Sequence, residues 1–273
     1  MSEVFDALLS LEGVRDAADR SREACTQLRW HAALRRRIPE AAAESRVRGA
    51  RATALLEGVE VDQKTVRDLL RGALDWPQQP DPWELTLRGA VQVTAATEAS
   101  TGAVLLQDLV RLQIAAAEPV SSADELGRPR ADGETSQEFA TLGAAPPAAE
   151  ALDRLRSVLA LLDADNIPAP VGGALLHAEI AVARPFTRGN GLVARAAHRG
   201  YLRTSGLDPT GVAVIEAGYA AKGSADYLGA LTAYAQGGTE GVRLWLIHSA
   251  DAVVAAAAEG SRICDAVLAG RLS

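Results

Sequence analysis

Cysteine and aromatic residues are scarce in this chain of 273 residues, which has two cysteines, Cys25 and Cys264, and an aromatic fraction of 4%. Two thiols so far apart in sequence read plainly as buried, reduced thiols of a cytosolic protein, with a disulfide or metal pair as the alternative. Few aromatics leave little to stack on single-stranded bases. A net charge of −7 argues against a sequence-independent grip on nucleic-acid phosphates. The first segment, "MSEVFDALLSLEGVRDAADR", places acids early and lacks a basic-then-apolar order, so it does not read as a signal peptide. No apolar run of about 20 residues stands out as a bilayer span. A cytoplasmic protein with neither a membrane nor a nucleic-acid partner is expected.

What the chain does have is a hydrophobic content of 48%, supplied largely by alanine and leucine, which suits packed helices. Residues 1–38 hold helical segments and the basic cluster "LRRRIP". Residues 40–57 place Val47, Ala50, Ala54 and Leu55 on one helical stripe, and Gly58 offers a C-terminal stop. A short helix follows in "VDQKTVRDLLRGAL". Three prolines break "DWPQQPDPWE", and a helix opens near Trp83. Residues 84–118 read as two helices around "TEASTG". The polar stretch Glu118–Glu138 reads as a surface loop or short hairpin. Pro146-Pro147 opens a helix with Leu152, Leu155, Leu159 and Leu162 on one face. Pro170 starts the next, carrying Leu176, Ile180 and Val182. "GLVARAAHRGYLRTSG" is helical to Gly206, and two helices close the chain around Tyr227–Tyr234 and Val242–Leu268. Strands are nearly absent, so the fold is mainly α.

The stretch "ARPFTRGNGLVAR", residues 183–195, carries the chemistry. A Gly-Asn-Gly turn opening a helix aims unpaired backbone N–H groups outward, and the helix dipole adds partial positive charge there. Gly189 and Gly191 permit positive φ and close approach, and Asn190 bonds locally. Arg195, about one helical turn on, reaches toward the same anion. No Ser-His-Asp order, zinc spacing or dinucleotide fingerprint occurs.

"RPFTRGNGLVAR" resembles the active-site motif of the Fic (Fido) family, His-Pro-Phe-x-Asp/Glu-Gly-Asn-Gly-Arg-x-x-Arg. Pro185, Phe186, Gly189, Asn190, Gly191 and Arg195 match in register. The helices before and after the motif are also similar, so the resemblance covers roughly residues 85–260. It implies an all-α Fic/Fido helical fold, with room for a short β-hairpin flap at Leu126–Gln137. Residues 1–84 then form an N-terminal helical extension, and residues 261–273 a C-terminal helix end. "TALLEG" resembles the family's inhibitory pattern Ser/Thr-x-x-x-Glu-Gly/Asn, in the class II-like arrangement. It assigns inhibitory positions to Thr53, Glu57 and Gly58, with Glu57 expected to pair with Arg195.

Family enzymes mostly transfer AMP from ATP to a protein hydroxyl. Their motif histidine is the general base, the acidic residue holds Mg²⁺, and the turn cradles phosphates. Here those positions carry Arg184 for the histidine, Arg188 for the acid, and Leu192 for the first arginine. An arginine stays protonated at neutral pH and cannot take up a proton. A positioned general base is worth roughly 10²–10⁴ in rate, and a bound metal adds to that. The expected reading is a Fic-fold pseudoenzyme that binds a protein partner and has no Mg²⁺ site. ATP or another nucleotide at Gly189, Asn190, Gly191, Arg188 and Arg195 stays open, as does a homo-oligomer. So does the alternative, an active transferase with altered catalytic residues. Arg184 and Arg188 read either as phosphate-binding guanidiniums or as surface charges that replaced unneeded groups. His177 reads as a buried, hydrogen-bonded histidine, and His198 as non-catalytic.

Overall fold

Two prolines bracket the most apolar helix of the chain. In the computed structural model, which describes residues 2–99, 102, 104–163 and 167–272, the chain forms α1 (Ser2–Ser10), α2 (Val14–Arg29), α3 (Ile38–Leu56), α4 (Gln63–Leu70), α5 (Pro82–Ala96) and α6 (Leu106–Ala117). After a long loop come α7 (Ala148–Leu162), α8 (Ala169–Ala183), α9 (Asn190–Thr204), α10 (Ile215–Ala220), α11 (Ser224–Gln236) and α12 (Gly238–Leu268). Pro170 sits in the first turn of α8, where its missing N–H is not needed. Pro185 ends the helix, because the residue before a proline is driven out of the helical region. Every residue from Pro170 to Ala183 except Glu179 is buried. A helix apolar on all sides belongs at the centre of a bundle.

α9 packs along α8 and is buried from Asn190 to Leu202. α7, α11 and α12 pack on α8, and α12 also packs on α2 and α10. On the other side α3 lies on α5 and α10, and α5 on α6. The turn between the two central helices, residues 184–189, is thus held from both ends by the core.

Most of the expected helices are present, and the differences have physical reasons. No strand occurs among the described residues, so of the two forms expected for Glu118–Glu138, loop or short hairpin, the loop is the one present. Its polar groups bond one another locally: Glu134 accepts from Arg128 and from the Ala131 amide. Leu55 is 37% exposed and leaves the stripe that buries Val47, Ala50 and Ala54. On α7 the buried stripe is Ala148, Ala151, Leu155 and Val158, while Leu152, Leu159 and Leu162 are half-buried. α12 begins at Gly238, four residues before the expected Val242, and ends at Leu268 as expected. α12 is also long and apolar enough to cross a membrane by length and composition, because alanine dilutes its charges; half of that window is buried inside the bundle. Ser100 and Thr101 of "TEASTG", and the terminal Met1 and Ser273, lie outside the described residues.

Candidate active site

Gly189 caps α9 with φ of 86°, a left-handed conformation that glycine adopts without strain. Asn190 then locks the turn. Its Oδ1 accepts from the Phe186 amide at 3.0 Å, and its Nδ2 donates to the Phe186 carbonyl at 2.9 Å. The cup expected from sequence is therefore formed, with the Gly189 and Asn190 amides pointing into it.

The protein's own carboxylate fills that cup. Glu138 Oε1 accepts from the Gly189 amide at 2.5 Å, and Oε2 accepts from the Asn190 amide at 2.7 Å and from Asn190 Nδ2 at 3.0 Å. An ionised carboxylate only accepts, and a helix N-terminus favours negative charge, so the match is chemically close. Burial pushes the Glu138 carboxyl up, and the nearby Glu57 charge acts the same way, against the donors that hold it ionised. Glu138 escapes sequence reasoning because it stands 51 residues from Gly189, with no periodic or motif relation to it.

Arg184, at the position of the motif histidine, is buried at 2% exposure, which corrects the reading of it as a surface charge. It caps α8 in the left-handed region, with φ of 49°. Its Nη1 donates to the carbonyls of Glu138 at 3.1 Å and Gly143 at 2.9 Å, Nη2 to Ala144 at 3.0 Å, and Nε to Val182 at 3.2 Å. A guanidinium has donors only. Arg184 therefore ties residues 138–144 to the end of α8 and offers no lone pair to a reacting hydroxyl. Burial, with Arg130 beside it, draws its pKa below the ordinary arginine value. Arg130, also missed, is buried and donates to the carbonyls of Arg184 at 2.7 Å, Glu134 at 2.8 Å and Pro146 at 2.9 Å.

Arg188, by contrast, is exposed. It flanks a hollow of about 250 Å³ and another of about 130 Å³, the latter lined by Glu57, Glu138, Gly189 and Leu192. Leu192 is buried at 7% exposure and turned toward that hollow and Gly89 of α5.

Glu57 and Arg195 do meet. α3 ends in a Schellman turn, the Gly58 amide on Leu55 O and the Val59 amide on Ala54 O, both at 2.9 Å, with Gly58 at φ of 83°. This leaves Glu57 at the last turn, on the same face as Thr53. Arg195 Nη2 donates to Glu57 Oε1, and Nε donates to Thr53 Oγ1 at 2.6 Å. The guanidinium also lies over the Tyr227 ring, 5.9 Å from its centroid. A Cβ on Gly191 would fall 2.6 Å from Glu57 Oε1 and 3.1 Å from Phe139 Cζ, so a side chain there would have to displace the paired carboxylate.

The histidines are elsewhere. His177 is buried with Nε2 at 2.7 Å from the Tyr227 hydroxyl, as a core histidine would be, and His198 Nδ1 is 2.9 Å from the Tyr219 hydroxyl. Neither reaches the cup through a described hydrogen bond. Cys25 and Cys264 are buried free thiols, and burial pushes them up to about 12 and about 11.

These residues do not fit a metal-bound nucleotide. The Gly189 and Asn190 amides are occupied, the hollows beside them hold about 250 and 130 Å³, and small-molecule sites span about 300–1,000 Å³. The acidic position carries a cation, and no group of three His, Cys, Asp or Glu converges as metal ligands among the described residues.

No protein-family model and no curated protein matches the chain. Solved structures do match. A Fic family protein from Desulfovibrio desulfuricans has a TM-score of 0.73 at 19% identity, covering 96% of this chain and 76% of its own. A fragment of Fic-1 from C. elegans has a TM-score of 0.68 at 17% identity, with 94% and 73% covered. A Fic domain containing signaling protein from Bacteroides thetaiotaomicron has a TM-score of 0.60 at 13% identity, with 91% and 98% covered. The chain has the all-α Fic fold.

Proposed function

We propose that this Fic-fold chain is a pseudoenzyme, which transfers no AMP and acts by binding a partner protein. The observation that carries this reading is the state of Arg184. At the position of a general base stands a buried side chain whose donors are spent on backbone carbonyls. Loss of such a base lowers a rate by roughly 10²–10⁴. Arg188 at the acidic position would repel a divalent cation, which removes a second contribution.

Glu138 supplies a carboxylate that the sequence reading did not foresee, yet it does not rebuild a catalytic centre. Both its oxygens accept from the cup, and His177 and His198 are bonded to core tyrosines. The Glu57–Arg195 contact supports an inhibitory-type role for Thr53, Glu57 and Gly58. Two buried thiols support a reducing, cytoplasmic setting.

The purified protein and its Glu57→Gly variant are incubated with labelled ATP, GTP, UTP or CDP-choline and cell lysate as acceptor. The glycine variant is included because an inhibitory glutamate hides activity. No label on any protein is expected from either. Label that disappears on Asn190→Ala would overturn the reading and establish a transferase with altered chemistry.

A further inference from the structure

We propose that residues 126–146 form a clasped plug: Glu138 is the resident anion of the α9 cup, and Arg184 and Arg130 hold it there. The proposal deepens, and rests on, the reading of Arg184 as a structural donor rather than a catalytic group. It assigns a purpose to the arginine at the motif histidine position, which is to keep the cup closed.

Three independent features converge on this segment. Glu138 accepts from the Gly189 and Asn190 amides and from the Asn190 side chain. Those donors are thereby spent, and any other anion must displace it. The backbone that carries Glu138 is gripped from beneath. Arg184 donates to carbonyls at 138, 143 and 144, and Arg130 to those at 134 and 146, while the Arg130 amide itself donates to the Pro185 carbonyl at 2.8 Å. Two buried cations thus bond the loop at both ends and its root on α8.

The third feature is backbone strain. Among the described residues, the non-glycine residues with positive φ are Phe139, at 53°, and Arg184, at 49°. One follows the plug and the other is its clasp. Such conformations persist only where surrounding contacts over-determine them. Here the strained pair turns the chain so that Glu138 enters the cup while Phe139 lies against Gly191. Ser136, buried behind them, meets Asn190 Nδ2 at 3.3 Å and completes the closure.

A closed cup lowers the apparent affinity for any competing anion by the fraction of molecules that are open. The consequence is read with inorganic pyrophosphate, without metal, on the full chain. Calorimetry measures its binding, and hydrogen exchange measures protection of the Gly189 and Asn190 amides. In the wild type both amides are expected to be protected and pyrophosphate to bind poorly. In Glu138→Ala the amides should exchange faster, and pyrophosphate should bind at least about tenfold tighter and restore their protection. Arg184→Gln, with Glu138 intact, should loosen the same two amides.

Equal pyrophosphate affinity in wild type and Glu138→Ala, or unchanged exchange at both amides, would overturn the plug. Wild-type protection in Arg184→Gln would overturn the clasp. Should Arg184→Gln fail to fold, Glu138→Ala still decides the matter, since it leaves both buried arginines in place. Label transfer in the nucleotide assay would instead sink the pseudoenzyme reading while these exchange results stand.

Discussion

Glu57 and Arg195 stand 138 residues apart, yet they share one ion pair at the heart of the site. Arg195 is 1% exposed on its side chain, whereas Glu57 keeps 30% of its side chain in solvent. Removing the acid strands a buried cation; the partial exposure of Glu57 moderates the loss. Glu57→Ala is therefore expected to lower unfolding free energy by about 1–3 kcal/mol, below the 3–5 kcal/mol of a fully buried pair. Glu57→Gln, which keeps an acceptor for Nη2, should lose less. Urea unfolding at neutral pH measures both, and no change in Glu57→Ala would mean that α3 docks differently in solution. This pair was expected only through the resemblance of "TALLEG" to the family's inhibitory pattern; helical spacing puts Thr53 and Glu57 on one face but does not name their partner. Arg184 was legible only in part. Its chemistry, donors only, follows from residue type; its burial depends on a loop that the local sequence does not position.

Among the elements, α10 was not foreseen, being six residues long and too short for a periodic signal. It lies so close to α12 that the Val214 amide donates to Ala256 O at 3.2 Å, and a Cβ on Gly218 would fall 2.0 Å from Ala252 O. Gly218→Ala must push the two helices apart, and is expected to destabilise the protein by about 1–3 kcal/mol. Gly229→Ala, on the exposed face of α11 with open space around it, should stabilise by about 0.5–1 kcal/mol through helix propensity alone. Thermal or urea melting of the two variants checks the opposite signs. The loop after α6 shows the same limit from the other side. Its polar, turn-rich composition was readable, but a hairpin and a strapped loop are equally compatible with it. Two buried arginines, Arg130 within the loop and Arg184 at the end of α8, decide between them.

For the molecule as a whole, one aromatic cluster joins five of the core helices. His177 of α8, His198 of α9, Tyr219 of α10, Tyr227 of α11 and Trp245 of α12 form one cluster, with Tyr219 and Trp245 stacked at 5.8 Å. Burial holds both imidazoles neutral, lowering His198 to about 3 and His177 well below its ordinary value. In the unfolded chain both titrate near 6.5. Between that pH and about 3 the unfolded chain takes up protons that the folded core refuses, so stability falls as the pH falls. Each ring adds a slope of up to about 1.4 kcal/mol per pH unit in that window. His198→Phe leaves the Tyr219 hydroxyl bonded to Ser249 at 2.9 Å and should flatten the slope by about that amount, as followed by urea unfolding from pH 7 to 4; an identical slope would refute it. On its own, the sequence determined a helical bundle and a Gly-Asn-Gly turn that opens a helix, both of which depend on residue identity and short-range spacing. Only the tertiary structure decided what occupies the cup. Glu138 reaches it because Arg184 captures backbone carbonyls 40 and 46 residues earlier in the chain and Arg130 captures the Arg184 carbonyl 54 residues later, and such carbonyls look alike at every position of a sequence.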